Sequence, residues 1–332
     1  MKSKFAKGVF SLLLAGMLVL TGCGAKTSEE TNGNTTPPAE TSGEGAEIAI
    51  VLKTLANPFW VEMKEGIEAE AEALGIKVDI YAAQSEDDLQ GQLNLVETAI
   101  SKNYKAIGIA PLSPANLNNA IAEANKKGIY VGNIDEKIDV EQLQGLGGSI
   151  LFFVTTDNVA VGAKAADFIV EKNPEGGKVA IIEGKAGNAS GNDRRDGATG
   201  VFKANDKFEL VDSQPADWDR AKALDVATNM ITKNPDLVAI YACNDTMALG
   251  AQQAVENAGK KGQIMVVGTD GAPEAIESIQ ADGMAATVAQ DPAEIGAESL
   301  RLLQKALLDK PAMDPMAIPE ATPVESNLIT KE

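Results

Sequence analysis

Histidine is absent from this chain of 332 residues. Because histidine is the commonest general base and metal ligand, its absence excludes a Ser-His-Asp triad, a Cys-His pair and a histidine-bound zinc ion. The two cysteines, Cys23 and Cys243, are too few for a thiolate zinc site or a disulfide framework. We therefore expect no metal ion, no cofactor and no catalytic residue. Glycosidase chemistry, which needs only paired carboxylates, remains as the one enzymatic alternative.

Basic residues are also scarce. Lysine and arginine number 29 against 48 aspartates and glutamates, which gives a formal net charge of −19. Proteins that bind nucleic acids rely on cationic contacts to phosphates, so this balance argues against a nucleic-acid partner. An acidic, soluble surface is the ordinary interpretation of such a charge, and we expect a monomer.

The N-terminus has the pattern of a targeting segment. Lysines precede an apolar run over residues 9–20, which is too short for a stable membrane span. The run ends in Leu20-Thr21-Gly22-Cys23, which resembles the bacterial lipobox. We predict a signal peptide over residues 1–22 and lipidation of Cys23, with the protein anchored through that lipid at the extracytoplasmic face of the cell membrane.

Residues 23–46 are predicted to form a tether. Beyond the cysteine the stretch "GAKTSEETNGNTTPPAETSGEGA" has almost no large apolar side chain, so it cannot bury enough surface to offset the entropy of ordering. The folded body is expected to begin near Glu47. With Cys23 lipidated, Cys243 has no intrachain partner, and its apolar context "LVAIYACND" predicts a buried structural thiol.

From residue 47 onward, strands and helices alternate. "EIAIVLK" is a continuous apolar run, typical of a strand covered on both faces. In the helix that follows, Asn57 suits the N-cap, Pro58 the first position and Gly75 the end. The cycle repeats five or six times on each side of a glycine-rich break near residues 145–148. This alternation predicts an α/β fold of two lobes with parallel sheets and right-handed crossovers.

Ligands of open parallel sheets bind beyond the carboxyl ends of the strands, where this sequence places polar and aromatic side chains. Carboxylates, amides and guanidinium groups pair well with hydroxyls, and an indole packs on the C–H face of a sugar ring. With one tryptophan in each half, a ring could be held between the lobes. The candidates are Lys53, Asn57, Phe59, Trp60, Asp135, Glu136, Asn188, Arg194, Arg195, Trp218, Asp219, Asn244, Asp245, Asp270, Gln290 and Asp291.

Several of these positions have equally ordinary interpretations. Trp60 is in phase with the apolar stripe of its helix and could be a core residue. Lys53 could extend its ammonium group to water. Asp135, Asn244 and Asp270 could cap the segments that follow them. Only the occurrence of all these residues at one edge favours a binding site.

Longer blocks of the sequence resemble a known family. "KTLANPFW", "SQPADWDR", "NDTMALGAQQAV" and "TVAQDPAEIG" are similar to segments of the ribose-type sugar-binding proteins of bacterial ABC transporters, and most similar to the allose-binding branch. The resemblance extends over about residues 47–328. It implies the type I periplasmic binding protein fold, two Rossmann-like lobes joined by a three-segment hinge. The first lobe would comprise residues 47–148 with about 291–318, and the second about 149–290 with about 319–332.

The resemblance also implies a function. A monosaccharide, D-allose in the closest branch, would bind between the lobes, and the closed form would dock on the permease subunits of an ABC transporter. Another hexose, psicose, ribose or a signalling furanose are the alternatives, and a secreted glycoside hydrolase is a remote one. Carried over motif by motif, the hydrogen-bonding positions are Lys53, Asn57, Asp135, Arg194, Asn244, Asp270 and Gln290, and the stacking positions are Phe59, Trp60 and Trp218.

Four positions depart from the ribose pattern. Lys53 stands where ribose binders carry a small polar residue, Trp60 and Trp218 replace phenylalanines, and Glu136 replaces an arginine. The larger indoles and the long lysine favour a hexopyranose over a pentose. Between two adjacent arginines, the family spacing R-x-x-G favours Arg194 over Arg195.

Overall fold

The first strand is buried at every position. In the computed structural model, which describes residues 45–331, β1 (Ile48–Thr54) pairs in parallel with a strand on each side. A strand in this position has both faces covered, which explains its unbroken apolar sequence. Each fully buried Ile, Leu or Val side chain stabilises the fold by about 1.5–3 kcal/mol relative to exposure.

Twelve strands and ten helices follow one another within the described residues. In chain order they are β1, α1 (Pro58–Leu74), β2 (Val78–Ala83), α2 (Leu89–Ser101), β3 (Ala106–Ile109), α3 (Asn118–Lys126), β4 (Tyr130–Ile134), α4 (Val140–Gly145), β5 (Phe153–Thr156), α5 (Asn158–Lys172), β6 (Gly177–Glu183), α6 (Ala189–Lys203), β7 (Phe208–Pro215), α7 (Arg220–Lys233), β8 (Leu237–Ala242), α8 (Asp245–Asn257), β9 (Met265–Asp270), α9 (Pro273–Gln280), β10 (Ala286–Ala289), α10 (Pro292–Asp309), β11 (Ala321–Val324) and β12 (Asn327–Thr330).

The strands form two sheets of six, as the predicted two-lobed α/β fold requires. The first sheet has the order β11-β5-β4-β3-β1-β2, and all its pairs are parallel. The second has the order β12-β10-β9-β8-β6-β7 and is parallel except for β12, which runs antiparallel to β10. We call each sheet with its helices a lobe; the two-lobe prediction is confirmed.

Three segments of the described chain connect the lobes. The first follows β5, because α5 packs against α6 and the second sheet. The second follows β10, because α10 packs against α1 and the first sheet. The third joins β11 of the first sheet to β12 of the second. These connections correspond to the expected three-segment hinge.

Two strands lie in a different lobe from the one expected. Phe153–Thr156 and Ala321–Val324 were assigned by sequence to the second lobe, yet β5 pairs with β4 of the first sheet and β11 pairs with β5. The glycine-rich break at residues 145–148 suggested a domain boundary. In the structure it ends α4 with a turn inside the first lobe, where Gly147 has a φ of +74°. The first crossing comes one strand later, at Asp157, which caps α5.

The helix-boundary signals behave as predicted. Asn57 Oδ1 accepts a hydrogen bond from the Phe59 backbone N–H at the start of α1, and Gly75 ends that helix in the left-handed conformation with a φ of +66°. Cys243 is a buried free thiol, whose pKa burial raises to about 12. The predicted signal peptide, Cys23 and most of the tether lie outside the described residues. Between residues 45 and 331, no helix combines the length and apolar character needed to cross a membrane.

Candidate functional site

The carboxyl ends of the two sheets meet around a cavity. The space between the lining side chains, including the open mouth, amounts to about 330 Å³. All ten residues of the predicted site line it, together with two that sequence reasoning missed, Glu86 and Ser190. The lining consists of Lys53, Asn57, Phe59, Trp60, Glu86, Asp135, Ser190, Arg194, Trp218, Asn244, Asp270 and Gln290. Direct contact of each with a ligand remains a prediction.

Two asparagines present donors to the cavity. Asn57 Oδ1 caps α1, and Asn244 Oδ1 accepts from the Met247 backbone N–H at the start of α8, at 2.9 Å. The capping alternative for Asn244 is therefore correct, but it does not exclude a binding role. Because each oxygen is committed to the backbone, each amide is oriented with its nitrogen available as a donor.

Asp135 presents an acceptor. It follows β4 with a φ of +60° and is 5 % exposed. Asp139 caps α4, so the capping alternative for Asp135 is wrong. Among the described residues, its Oδ1 atom is buried without a hydrogen-bond partner. Burial raises the pKa of Asp135 to about 6, although the nearby Lys53 ammonium acts in the opposite direction. A buried acceptor without a hydrogen bond costs free energy, so a ligand that donates to this atom would remove that cost.

Asp270 and Gln290 form a second group of acceptors. Gln290 Nε2 donates to Asp270 Oδ1 at 2.7 Å, which leaves Gln290 Oε1 buried without a partner among the described residues. Asp270 has a φ of +126° and does not cap α9, whose N-cap is Ala272. Burial raises the pKa of Asp270 to about 6, opposed by Arg194. The buried Asp245 carboxylate holds this loop by accepting from the Gly271 and Ala272 backbone N–H groups.

Arg194, and not Arg195, lies in the cavity wall. Its guanidinium donates to Asn158 Oδ1 and to the Cys243 carbonyl, each at 2.8 Å, and one nitrogen lies 3.6 Å from Asp270 Oδ1. Arg195 instead pairs with acidic side chains outside the cavity. Of the two arginines, the one that the R-x-x-G spacing favours is the one that lines the cavity, and its contact with a ligand stays a prediction.

Lys53 is buried rather than extended to water, so the solvent alternative is wrong. Its Nζ atom lies 3.0 Å from Glu136 Oε2 and 5.4 Å from the centre of the Trp60 ring. Burial alone would lower the pKa of Lys53, but the carboxylates of Glu136, Glu86 and Asp135 raise it. The site therefore holds a charged ammonium group in its wall. Glu136, which sequence reasoning placed only at the strand end, is the counterion.

Phe59 and Trp60 form the aromatic wall of the first lobe. Their rings meet edge to face, with centroids 5.0 Å apart. Trp60 is 3 % exposed and belongs to the apolar core of the lobe, so the core interpretation is correct, and the same ring also lines the cavity. Its Nε1 donates to Glu86 Oε1 at 3.3 Å.

Trp218 forms the aromatic wall of the second lobe. Its backbone has a φ of +64°, and its Nε1 donates to Asn188 Oδ1 at 3.1 Å. The indole packs against the backbone of Gly184, where an added Cβ atom would lie 2.0 Å from a ring carbon. The Arg194 guanidinium carbon lies 5.8 Å from the ring centre. The ring is thus held in position by contacts within its own lobe.

The two missed residues had weak sequence signals. Glu86 lies in the polar loop "QSEDD" after β2, where the strand-end rule does not distinguish it from its neighbours. Its Oε2 atom is buried without a partner among the described residues. Ser190 lies in the first turn of α6, beyond the strand end itself. The cavity thus brings donors, acceptors and aromatic side chains of both lobes together, which suits a small polyhydroxylated ring.

Comparison with known proteins agrees with this geometry. The model of a family described as the periplasmic binding protein domain matches residues 48–311. The chain belongs to this family. Like its relatives, it is a binding protein and not an enzyme. Residues 45–331 contain no cluster of acidic or cysteine side chains that could hold a metal ion.

Two curated relatives and one solved structure show its place in the family. The D-allose-binding periplasmic protein of Escherichia coli K12 is 58 % identical over 287 residues, 86 % of this chain and 92 % of the relative. The ribose import binding protein of the same strain is 35 % identical over 285 residues, 86 % and 90 % of the two chains. An ABC transporter solute-binding protein from Actinobacillus succinogenes 130z, solved with bound D-allose, has a TM-score of 0.80 at 33 % identity, covering 86 % and 98 %.

Proposed function

We propose that this periplasmic binding protein captures a monosaccharide, D-allose, between its lobes and delivers it to the permease of an ABC importer. The observation that carries the ligand class is a set of three buried acceptors in the cavity wall that have no hydrogen-bond partner among the described residues: Glu86 Oε2, Asp135 Oδ1 and Gln290 Oε1. The Asn57 and Asn244 amides face the same cavity as donors. A sugar hydroxyl can both donate to such an acceptor and accept from such a donor.

The choice of D-allose rests on similarity and on the size of the lining groups. Identity to the allose-binding relative is 58 %, against 35 % to the ribose import binding protein of the same strain. Lys53, Trp60 and Trp218 are all in the cavity wall, at the positions where the sequence departs from the ribose pattern. These charged and aromatic groups favour a hexopyranose.

We also propose a lipid-anchored, monomeric protein on the extracytoplasmic face of the membrane. Support comes from the lipobox-like sequence before Cys23 and from the family of import binding proteins to which the chain belongs. A Cys23→Ser variant is expected in the soluble fraction after secretion, while the natural chain sediments with membranes. A natural chain that is found in the soluble fraction would contradict the anchor.

Calorimetric titration tests the ligand. The protein, secreted as the Cys23→Ser variant and freed of carried-over sugar by unfolding and refolding, is titrated with D-allose, D-ribose, D-glucose and D-psicose. We expect submicromolar binding of D-allose, on the order of 8 kcal/mol or more, with ribose much weaker. Tight ribose binding would keep the sugar class and reject the roles of Lys53 and the tryptophans. Folded protein that binds none of the four sugars would reject the proposal.

A further inference from the structure

Glu136 lies behind the cavity wall and makes contacts in both lobes. It follows β4 in the first lobe, and its side chain is fully buried. One carboxylate oxygen, Oε2, lies 3.0 Å from Lys53 Nζ in the same lobe. The other oxygen, Oε1, accepts from the Ala189 backbone N–H of the second lobe at 2.6 Å. Ser190 adds its hydroxyl, which donates to Oε2 at 2.8 Å, and its backbone N–H at 3.3 Å from Oε1.

The second-lobe partners are the first N–H groups of α6. Helix N-termini leave such groups without intrahelical acceptors, and a side chain at the N-cap usually supplies one. Asn188 holds the N-cap of α6 but makes no capping hydrogen bond there. Its amide is used elsewhere, because Oδ1 accepts from Trp218 and Nδ2 donates to the Leu112 carbonyl of the first lobe. The acceptor for the start of α6 therefore comes from the opposite lobe.

We propose that Glu136 is a positioning residue that couples sugar binding to lobe closure: it holds the Lys53 ammonium in the cavity wall while its carboxylate completes the N-terminus of α6 across the cleft. This inference rests on the proposed sugar-binding function. When the lobes separate, the hydrogen bonds to Ala189 and Ser190 are lost, whereas the pair with Lys53 remains within the first lobe. Glu136 therefore stabilises the closed form relative to the open one.

The chemistry of the contact favours a large effect. A carboxylate is attracted to a helix N-terminus, and hydrogen bonds to a charged acceptor are stronger than neutral ones. The charges of Lys53 and the donors of Ser190 outweigh burial and lower the pKa of Glu136, so it is ionised at neutral pH. A second charged contact between the lobes, Lys185 with Asp87, differs because the Asp87 side chain is 80 % exposed. An exposed pair of this kind contributes little, because water and salt screen it.

The test first compares the sugar dissociation rate in three single variants, with D-allose as the probe and tryptophan fluorescence in a stopped-flow instrument as the signal. Glu136→Gln keeps the shape but removes the charge, and we expect dissociation to accelerate about 10- to 100-fold, with association changed much less. Ser190→Ala removes one of the hydrogen bonds that Glu136 accepts from the second lobe and leaves Lys53 unchanged. We expect the dissociation rate to increase about 3- to 10-fold. Asp87→Asn is the matched control, with a change of less than about 3-fold.

A double variant distinguishes two explanations of the Glu136→Gln effect, the loss of contacts between the lobes and the loss of a counterion for Lys53. If Glu136 only neutralises the buried ammonium, Glu136→Gln has no further effect once Lys53→Met has removed that charge. Coupling across the cleft instead predicts a further acceleration of dissociation in Lys53→Met/Glu136→Gln relative to Lys53→Met. Small-angle X-ray scattering at saturating D-allose should show a larger radius of gyration for Glu136→Gln than for the natural chain.

Three results would overturn the proposal: natural dissociation rates in both Glu136→Gln and Ser190→Ala, no further effect in the double variant, or an unchanged radius of gyration. Should Glu136→Gln fail to fold, Ser190→Ala decides alone, since it leaves the buried ion pair intact. A natural chain that binds no sugar would reject the proposed function. In that case, small-angle scattering of the ligand-free proteins tests whether Glu136 holds the lobes together. A natural chain with a smaller radius of gyration than Ser190→Ala supports this role, and equal radii reject it.

Discussion

Asp135→Asn should stabilise the ligand-free protein at alkaline pH while weakening sugar binding. The Asp135 carboxylate is buried, its Oδ1 atom has no hydrogen-bond partner among the described residues, and burial raises its pKa to about 6. Keeping this group ionised in the folded protein therefore costs free energy. An asparagine keeps the shape and cannot ionise, so it removes that cost together with the charged acceptor for a sugar hydroxyl.

The magnitude follows from linkage between protonation and folding. The pKa of Asp135 rises from the ordinary 3.8 to about 6, which corresponds to at most about 3 kcal/mol at ~1.4 kcal/mol per pKa unit. Because the folded-state pKa is the higher one, the stabilising proton is fully bound below about pH 4. This contribution is lost as the pH rises through 6. Asp135→Asn should thus exceed the natural chain by up to about 3 kcal/mol at pH 8 and by little near pH 4.

Urea unfolding without sugar at pH 4, 6 and 8 measures this difference directly. Asp139→Asn is the matched control, because Asp139 is exposed, caps α4, and can be replaced by asparagine as a cap. Its free energy of unfolding is measured beside that of the natural chain at the same three pH values. In D-allose titrations at pH 8, Asp135→Asn should lose about 2–4 kcal/mol of binding free energy. A variant less stable than the natural chain at pH 8, or a gap independent of pH, would refute the reasoning.

Three further substitutions and one control substitution test the aromatic wall and the packing of helices. Trp218→Ala should abolish tight sugar binding with a melting temperature changed by only a few degrees, since the ring is half-buried at the cleft; normal titrations would reject its stacking role. Gly184→Ala should weaken binding without touching the ligand, because its Cβ atom would lie 2.0 Å from a Trp218 ring carbon; a crystal structure with an unmoved indole would contradict this. Gly66→Ala should destabilise the fold by about 1–3 kcal/mol through overpacking of α1 on α10, because the added Cβ atom would lie 2.3 Å from the Ala293 carbonyl oxygen. Gly200→Ala is the control: this glycine is exposed in α6, its added Cβ atom would have no atom within 4 Å, and the change should stabilise the fold by up to about 1 kcal/mol. Equal effects of the two changes in urea unfolding would reject the packing argument.

The order of elements was predictable because its signals are local. The apolar run of β1, the Asn57 cap and the left-handed Gly75 each act within a few residues, and the structure has all three. The gathering of ten candidate residues at one cavity was predictable for a related reason. The carboxyl ends of parallel strands lie at the same edge of a sheet, so residues that follow different strands in the sequence lie close together in space.

Tertiary contacts account for what the sequence could not show. Nothing in the glycine-rich segment at residues 145–148 distinguishes a turn inside a lobe from a crossing between lobes, so β5 was expected in the wrong sheet. The lysine at the end of β1 looked equally suited to solvent, because its counterion Glu136 is 83 positions away in the chain. Glu86 was missed because several polar side chains share its loop, and the hydrogen bond from Trp60 Nε1 that distinguishes it is a tertiary contact.

The cleft between the lobes contains one buried carboxylate that favours closure and one that opposes it, and together they link closure to the presence of a ligand. Glu136 gains hydrogen bonds from α6 on closure. Asp135, by contrast, is buried with its pKa raised, and its Oδ1 atom has no hydrogen-bond partner among the described residues, which makes closure costly until a donor reaches that atom. A ligand that supplies hydroxyl donors removes this cost and leaves the gain from Glu136. Since a ligand shifts an equilibrium only by its differential affinity for the two states, a sugar that donates a hydrogen bond to Asp135 favours closure relative to an empty cleft.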